Sequence, residues 1–231
     1  MRRLLVVGNG RMGRLVAELA PGYGFEVAGV LDRANNDGGS GVTAERCRGV
    51  DVAVDFSVAE ATLATVPRLA ARGISLVVGS TGWLAREAEL REAIAAAGSG
   101  AVVAANFSRA ANLLDALVES AGRLFASADN YGAFVHEAHH KAKKDAPSGT
   151  ALMLRRALER GGYTLPIDVS STRAGWIPGT HTVGFDGPAE TLTLAHVVRD
   201  RATFAHGALE AARWVIGRQG WFTMRDVLGI G

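Results

Sequence analysis

The chain has 231 residues, 48% of them hydrophobic and 21% charged, with a formal net charge of +2. This is the composition of a soluble globular protein with one large or two small domains, and its charge is too mild to argue for nucleic-acid binding. Cys47 is the single cysteine, which excludes an internal disulfide and points to a reducing compartment. No apolar run reaches the roughly 18 residues of a membrane span and no signal-like segment opens the chain, so a cytoplasmic protein with no membrane partner is expected.

Arg3 to Val7 is an apolar run of the kind that forms a buried strand. Gly8-Asn9-Gly10-Arg11-Met12-Gly13 follows at once, and Leu15, Val16 and Leu19 continue at helical spacing. A G-x-G-x-x-G between strand and helix is the dinucleotide fingerprint: a tight turn, close approach of a pyrophosphate to the backbone, and close packing of helix on strand. The next strand, Glu26 to Leu31, ends at Asp32-Arg33. An acid about twenty residues beyond the glycines can take the adenosine ribose hydroxyls. Arg33 can grip a 2′-phosphate instead, so NADH and NADPH both stay open. The plainer alternative is a surface ion pair at a strand end.

Asn35 to Gly41 reads as a polar, glycine-rich loop. Val50 to Phe56 is the third strand, followed by a helix to about Arg72 in which Pro67 is expected to kink or break the chain. Ser75 to Val78 is the fourth strand, ending in Gly79-Ser80-Thr81-Gly82. A helix covers Leu84 to Ala97, and Ala101 to Ala104 is the fifth strand, leading into Ala105-Asn106-Phe107-Ser108. Regular alternation of strand and helix predicts a parallel sheet, whose ligands bind at the carboxyl ends of its strands.

Ala110 to Phe125 reads as an amphipathic helix leaving this domain. An extended segment, Gly132 to Ala138, then delivers His139 and His140. Lys141, Lys143 and Lys144 follow, and Ser148-Gly149-Thr150 reads as a helix start with Ser148 as N-cap. The first N–H groups of such a helix lack intrahelical partners and the helix dipole adds positive charge there. Cations, an imidazole and free N–H groups together make a receptor for a carboxylate or phosphate with a proton source beside it. Against this stands the bland reading that lysine runs are solvated faces. Segments at Ile167–Arg173, His181–Asp186 and Glu190–Val198 read as strands, Phe204 to Gly217 as a helix, and Met224 to Leu228 as a short closing segment. The expected organisation is α/β: an N-terminal Rossmann-type parallel sheet (1–108 with 204–231) and a smaller α+β substrate and oligomerisation domain (109–203). A sheet with one helix needs its other face covered, which predicts an oligomer.

These residues resemble the 4-hydroxy-tetrahydrodipicolinate reductase family of lysine and diaminopimelate synthesis. Glu137 to Ala151 reproduce its signature E-A-H-H-x-x-K-x-D-A-P-S-G-T-A. Arg11-Met12-Gly13, Gly79 to Gly82, Ala105 to Ser108, Arg173 to Gly175, Gly179 to His181 and the terminal Met-Arg-Asp-Val-Leu also fit. The glycine loop looks one residue shorter than in many relatives, Asp32 stands where many carry Glu, and Ala142 stands where some carry a third imidazole. The resemblance implies reduction of a cyclic dicarboxylate by NADH or NADPH, with hydride to C4 and net loss of water. It implies His139 as general acid and Lys143 as its cationic partner. His140 would hold one substrate carboxylate, and the Gly149 N–H with the Thr150 N–H or hydroxyl the other. Gly8, Gly10, Arg11, Met12 and Gly13 would cradle the pyrophosphate, and Asp32 with Arg33 the ribose. Gly79, Ser80, Thr81, Ala104, Ala105, Asn106 and Phe107 would line the nicotinamide half. It further implies a homotetramer, with a dimer as the alternative, and no metal.

Three other readings compete. A different Rossmann-type dehydrogenase of a small dicarboxylate would share the glycine loop but has no need of His139-His140 before Ser148-Gly149-Thr150. If it were a semialdehyde dehydrogenase it would need a nucleophilic cysteine, and Cys47 lies away from the strand ends. A non-catalytic NAD(H) redox sensor would keep Gly8 to Gly13 without the acid-and-carboxylate receptor. A zinc hydrolase is poorly served by adjacent histidines without H-x-x-x-H or C-x-x-C spacing.

Overall fold

Short apolar strands set the architecture in a computed structural model that describes residues 1–230. In chain order the strands are β1 (Arg2–Val7), β2 (Phe25–Leu31), β3 (Val52–Asp55), β4 (Ser75–Val78), β5 (Gly100–Val103), β6 (Gly132–His139), β7 (Ile167–Arg173), β8 (Thr180–Asp186), β9 (Thr191–Val197) and β10 (Gly220–Phe222). The α-helices are α1 (Arg11–Leu19), α2 (Ala59–Ala70), α3 (Glu87–Ala96), α4 (Arg109–Phe125), α5 (Gly149–Arg160), α6 (Ala202–Val215) and α7 (Met224–Leu228). They form two compact units, Met1–Ser108 with Ala202–Gly231, and Arg109–Arg201.

In the first unit the strands pair in parallel in the order β10-β5-β4-β3-β1-β2. The alternation of side chains sends Leu4, Val6, Val52, Val54, Val77 and Val102 into one core with α1 and α6. Leu5, Val7, Ala53, Leu76, Val78 and Ala101 enter a second core with α2 and α3. With both faces covered, the buried stretches of the central strands are apolar or small up to their carboxyl ends, where Asp55 closes β3, and each fully buried Val or Leu contributes about 1.5–3 kcal/mol. The chain runs from β1 outward to β2, then crosses back to β3 on the other side of β1. That reversal is the switch point at which open α/β sheets bind ligands.

Two local expectations are corrected. Pro67 lies inside α2 and does not end it. It sits in the last turn, where its missing N–H costs the helix one hydrogen bond. The strand β10 was not foreseen, because three residues are too few to show a period; it extends the sheet beside β5.

The second unit is a mixed sheet in the order β7-β6-β8-β9, with β6 and β7 parallel and the other pairs antiparallel. It carries two helices, not one. α4 belongs to this unit and packs with α5 over the sheet through Leu114, Val118, Leu154 and Leu158 against Val135, Val183 and Phe185. Along β6 the helix-facing row reads Ala133, Val135, Glu137, His139, so the core turns from apolar to charged along one strand. The register extends that change sideways. Arg173 of β7 lies opposite His139, His181 of β8 opposite Glu137, and His196 of β9 opposite His181.

Candidate active site

At the carboxyl edge of the parallel sheet, the loop after β1 turns on Gly8, whose φ of +96° suits glycine and whose N–H donates to the Leu31 carbonyl at 2.7 Å. A Cβ on Gly13 would stand 1.8 Å from the Gly8 carbonyl oxygen, so the third glycine is required for α1 to lie against the loop. Gly10 is the opposite case: a Cβ there meets nothing within 4 Å. It N-caps α1 without a side-chain cap, leaving the first N–H groups of the helix, at Arg11 and Met12, without a capping partner. Open backbone at a helix N-terminus is the receptor a pyrophosphate fits. The Asn9 amide donates to Asp32 Oδ2 at 3.2 Å and the Ala34 N–H to Oδ1 at 3.0 Å, tying this loop to the end of β2 with Arg33 exposed beside it.

The other strand ends stand in the same row, through Phe56 N–H to the Val7 carbonyl (2.9 Å), Gly79 N–H to Asp55 (2.8 Å) and Ala104 N–H to Val78 (3.2 Å). Two of the expected cofactor residues turn their side chains inward. The Ser80 hydroxyl is buried against Thr62 Oγ1 at 2.6 Å and the Trp83 indole N–H at 3.1 Å. Phe107 is a core residue, edge-on to Phe56. The side chains of these two are therefore taken up by the core. Thr81 and Ala105 are exposed, Ala104 and Asn106 are half-buried, and Asn106 Oδ1 accepts from the Ser108 N–H at 2.8 Å.

In the second unit the charged end of β6 is built around Glu137, whose side chain is 0% exposed. Arg173 grips both of its oxygens, Nη2 to Oε1 at 2.6 Å and Nη1 to Oε2 at 3.0 Å. Oε1 also accepts the Ser148 N–H at 3.2 Å, and Oε2 makes a short hydrogen bond with His139 Nδ1. Ser148 caps α5, its Oγ accepting from the Ala151 N–H at 3.2 Å, and lies 3.2 Å from His181 Nε2. The three imidazoles His139, His181 and His196 follow one another along the sheet, with centroids 5.1 Å and then 6.3 Å apart.

The electrostatics follow from this packing. Burial pushes Glu137 upward, but hydrogen bonds from Arg173, Ser171 and His139 outweigh it and hold the carboxyl down to about 2. Burial lowers the pKa of His139; Glu137 opposes the shift, while Lys143 and Arg173 add to it. Burial and the neighbouring imidazoles of His139 and His196 drive His181 down to about 4. An ionised Glu137 can only accept, so His139 carries its proton on Nδ1 and leaves Nε2 for chemistry. The space beside Nε2 is kept by Gly179, where a Cβ would approach it to 3.1 Å.

Past His139 the chain turns, with the Lys143 N–H donating to the His140 carbonyl at 3.1 Å. Lys143 pairs with Asp145 at 2.8 Å, and the Asp145 carbonyl accepts from Arg173 Nη2 at 2.6 Å. A partly exposed pair of this kind is weak, so the ammonium is readily transferred to an incoming anion. His140 and Thr150 are half-buried and Gly149 is exposed at the start of α5. Glu137, His139 and His181 also offer ligand atoms within 4.8 Å of one another, a spacing a metal ion could bridge. The Arg173 guanidinium bonded to both carboxylate oxygens opposes a second cation there. Cys47 is buried in the core of the first unit, where burial raises its pKa against a smaller opposing pull from Arg72, so it is no thiolate nucleophile.

Sequence reasoning assigned no role to Glu137, Arg173, His181 or His196. Glu137 was accessible, because residues two apart on a strand share a face. The other three reach the cluster through strand register alone.

Residues 2–107 match the family model described as dihydrodipicolinate reductase, N-terminus, and residues 110–228 the model for its C-terminus. The chain is 37% identical to 4-hydroxy-tetrahydrodipicolinate reductase of Methanoregula boonei, covering 100% of this chain and 99% of that one. It is 39% identical to the protein of the same name from Caulobacter vibrioides, over 96% and 94% of the two chains. Among solved structures, dipicolinate-bound dihydrodipicolinate reductase from Paenisporosarcina sp. TG-14 shares the fold, with a TM-score of 0.77 at 19% identity over 98% of each chain.

The imidazole cluster gives stability a pH dependence of definite sign. His181 titrates near 4 when folded against an ordinary 6.5, so between these values the unfolded chain binds a proton the folded chain refuses. Stability is therefore expected to fall as pH drops from about 6.5 toward 4, by on the order of 3 kcal/mol from this residue. Denaturant unfolding of wild type and His181→Gln at pH 7, 5.5 and 4.5 checks this. The substitution should flatten the profile; an equal slope in both proteins would remove His181 from the account.

Proposed function

The chain belongs to the dihydrodipicolinate reductase family, and from that premise we propose that it reduces 4-hydroxy-tetrahydrodipicolinate to tetrahydrodipicolinate in lysine and diaminopimelate biosynthesis, with His139 as general acid. The reductant is NADH or NADPH, whose bound nicotinamide supplies a hydride for substrate C4. The observation that carries the reading is His139, held through Nδ1 by a buried carboxylate, with Lys143 beside it and the N-terminus of α5 joined to the same carboxylate.

The substrate is a cyclic dicarboxylate, and the residues around His139 suit two anionic groups. The Gly149 and Thr150 end of α5 offers N–H groups and dipole to one carboxylate, and His140 a hydrogen bond to the other. Lys143 stabilises the negative charge that develops on the conjugated imine as hydride arrives. The substrate's charges oppose the depression of the His139 pKa, so the imidazole gains its proton as the dianion binds and delivers it from Nε2. The C4 hydroxyl leaves as water together with a proton from the adjacent ring carbon, giving the conjugated imine. Hydride then adds at C4 and the His139 proton goes to that adjacent carbon. One water is lost, one hydride and one proton are gained, and the atoms balance. On the nucleotide side, open backbone at Gly10 to Met12 supports pyrophosphate binding, and Asp32 with Arg33 supports either ribose form.

The face of the second sheet opposite α4 and α5 carries His136, Thr182, Ala138, Ala195 and Val197, the last 58% exposed. We assign this face to contact with further copies of the chain in a homotetramer. Sedimentation equilibrium should return four chain masses. Two would favour the dimer, and a single-chain mass at micromolar protein would contradict the assignment.

The activity is tested by generating the substrate in place from pyruvate and aspartate semialdehyde with its synthase, then following oxidation of NADH and NADPH separately. Turnover with at least one cofactor is expected, and the ratio of rates reports what Asp32 and Arg33 prefer. His139→Ala should lower kcat at least about a hundredfold with cofactor affinity intact, the scale of a lost general acid. Equal losses in cofactor binding and turnover would make His139 structural.

A further inference from the structure

Glu137 is a carboxylate in a place where a carboxylate is difficult to keep. Its side chain is 0% exposed, in the row of β6 that begins with the core residues Ala133 and Val135. An apolar residue would continue that core, whereas a carboxylate there needs Arg173 on both oxygens to be tolerated. What it touches beyond Arg173 indicates its use: His139 Nδ1 on one oxygen, and on the other the backbone N–H of Ser148, the N-cap of α5.

We propose that Glu137 is the positioning residue for proton delivery: its carboxylate locks His139 in the Nδ1–H form with Nε2 free, and holds that imidazole and the start of α5 in one frame. This rests on the reading of His139 as general acid. Glu137 acts through His139 and the α5 terminus rather than on the reacting atoms, so it is not itself a catalytic residue.

The charges facing His139 come from each strand and turn around it. Glu137 lies on its own strand, Arg173 on β7, His181 on β8 with His196 behind it on β9, and Lys143 on the following turn. Only Glu137 favours the imidazolium strongly. Burial, Lys143 and Arg173 all oppose it, and His181, itself neutral near pH 7, offers no compensating charge. Removing the negative charge of Glu137 therefore leaves influences of a single sign, and the acid loses its proton at lower pH. A buried carboxylate that orients an imidazole and stabilises its protonated form is the arrangement by which catalytic triads make histidine a proton carrier. In this chain it lies two residues upstream on the same strand, where alternation places both side chains on one face.

The test is nitrogen-15 NMR of His139 in the free protein, together with pH profiles of turnover. In wild type, the neutral ring should be the Nδ1–H tautomer. In Glu137→Gln, the tautomer should become mixed and the His139 pKa should fall by at least about one unit, the scale of an opposite charge removed from hydrogen-bond distance. The basic limb of kcat should move down by the same amount, with kcat at pH 7 reduced at least about tenfold and a smaller change in KM. Glu137→Asp, which keeps the charge, should recover most of the pKa and only part of kcat. A purely structural role would lower thermal stability and leave tautomer and limb unmoved, and that result overturns the proposal. If Glu137→Gln does not fold, the wild-type spectrum decides alone, since an Nε2–H tautomer there is incompatible with the proposal. Wild-type protein with the expected tautomer but no reductase turnover would overturn the functional reading and leave the hold of Glu137 on His139 standing.

Discussion

The ion pair between Glu137 and Arg173 is the constraint on which the second unit depends. A carboxylate with no access to water must be matched by charge and hydrogen bonds, because its desolvation otherwise outweighs what packing returns. Parallel pairing of β6 with β7 brings the guanidinium across, and antiparallel pairing of β6 with β8 brings His181 opposite Glu137. The remaining capacity of the carboxylate goes to His139 and to the first N–H of the helix cap. Arg173 also reaches the Asp145 carbonyl, so the turn bearing Lys143 is fastened to the same pair. One buried interaction thus sets the tautomer of an imidazole, the entry angle of α5 and the seat of a lysine.

A different constraint governs the first unit, namely the closeness with which backbone can approach backbone. Gly13 lets α1 lie against the Gly8 carbonyl, and Gly79 packs where a Cβ would stand 2.2 Å from the Phe56 ring. These contacts compress the strand-end loops toward the sheet. Gly10 then presents bare helix N–H groups without a side chain in front of them. The fingerprint glycines act differently, two by closing internal gaps and one by leaving an external surface clear.

Much of this was legible in the sequence, for physical reasons that differ by region. The strands of the parallel sheet are buried on both faces, so they read as apolar runs, and Ser75–Val78 was placed to the residue. Ile167–Arg173, in the mixed sheet, was found instead by its period-two pattern. The Ser148 cap was recognisable because capping chemistry is local. Side-chain direction at strand ends was not local: Ser80 and Phe107 belong to the ligand-facing edge by position but turn into the core to satisfy Thr62, Trp83 and Phe56. The same limit hid Arg173, His181 and His196, which meet Glu137 only through register. The sequence already set the helix at Ala110 to Phe125 outside the first domain; its packing against α5 was not readable, since its own amphipathic pattern names no partner.

The central claim is that the acid acquires its proton because the dianionic substrate binds beside a histidine whose pKa burial has lowered. Calorimetric titration with pyridine-2,6-dicarboxylate at pH 7, in buffers of different ionisation enthalpy, measures that proton directly. Net uptake approaching one proton per bound dicarboxylate is required, and it should vanish in His139→Gln with binding retained. Tight binding of the dicarboxylate with no proton exchanged would contradict the account.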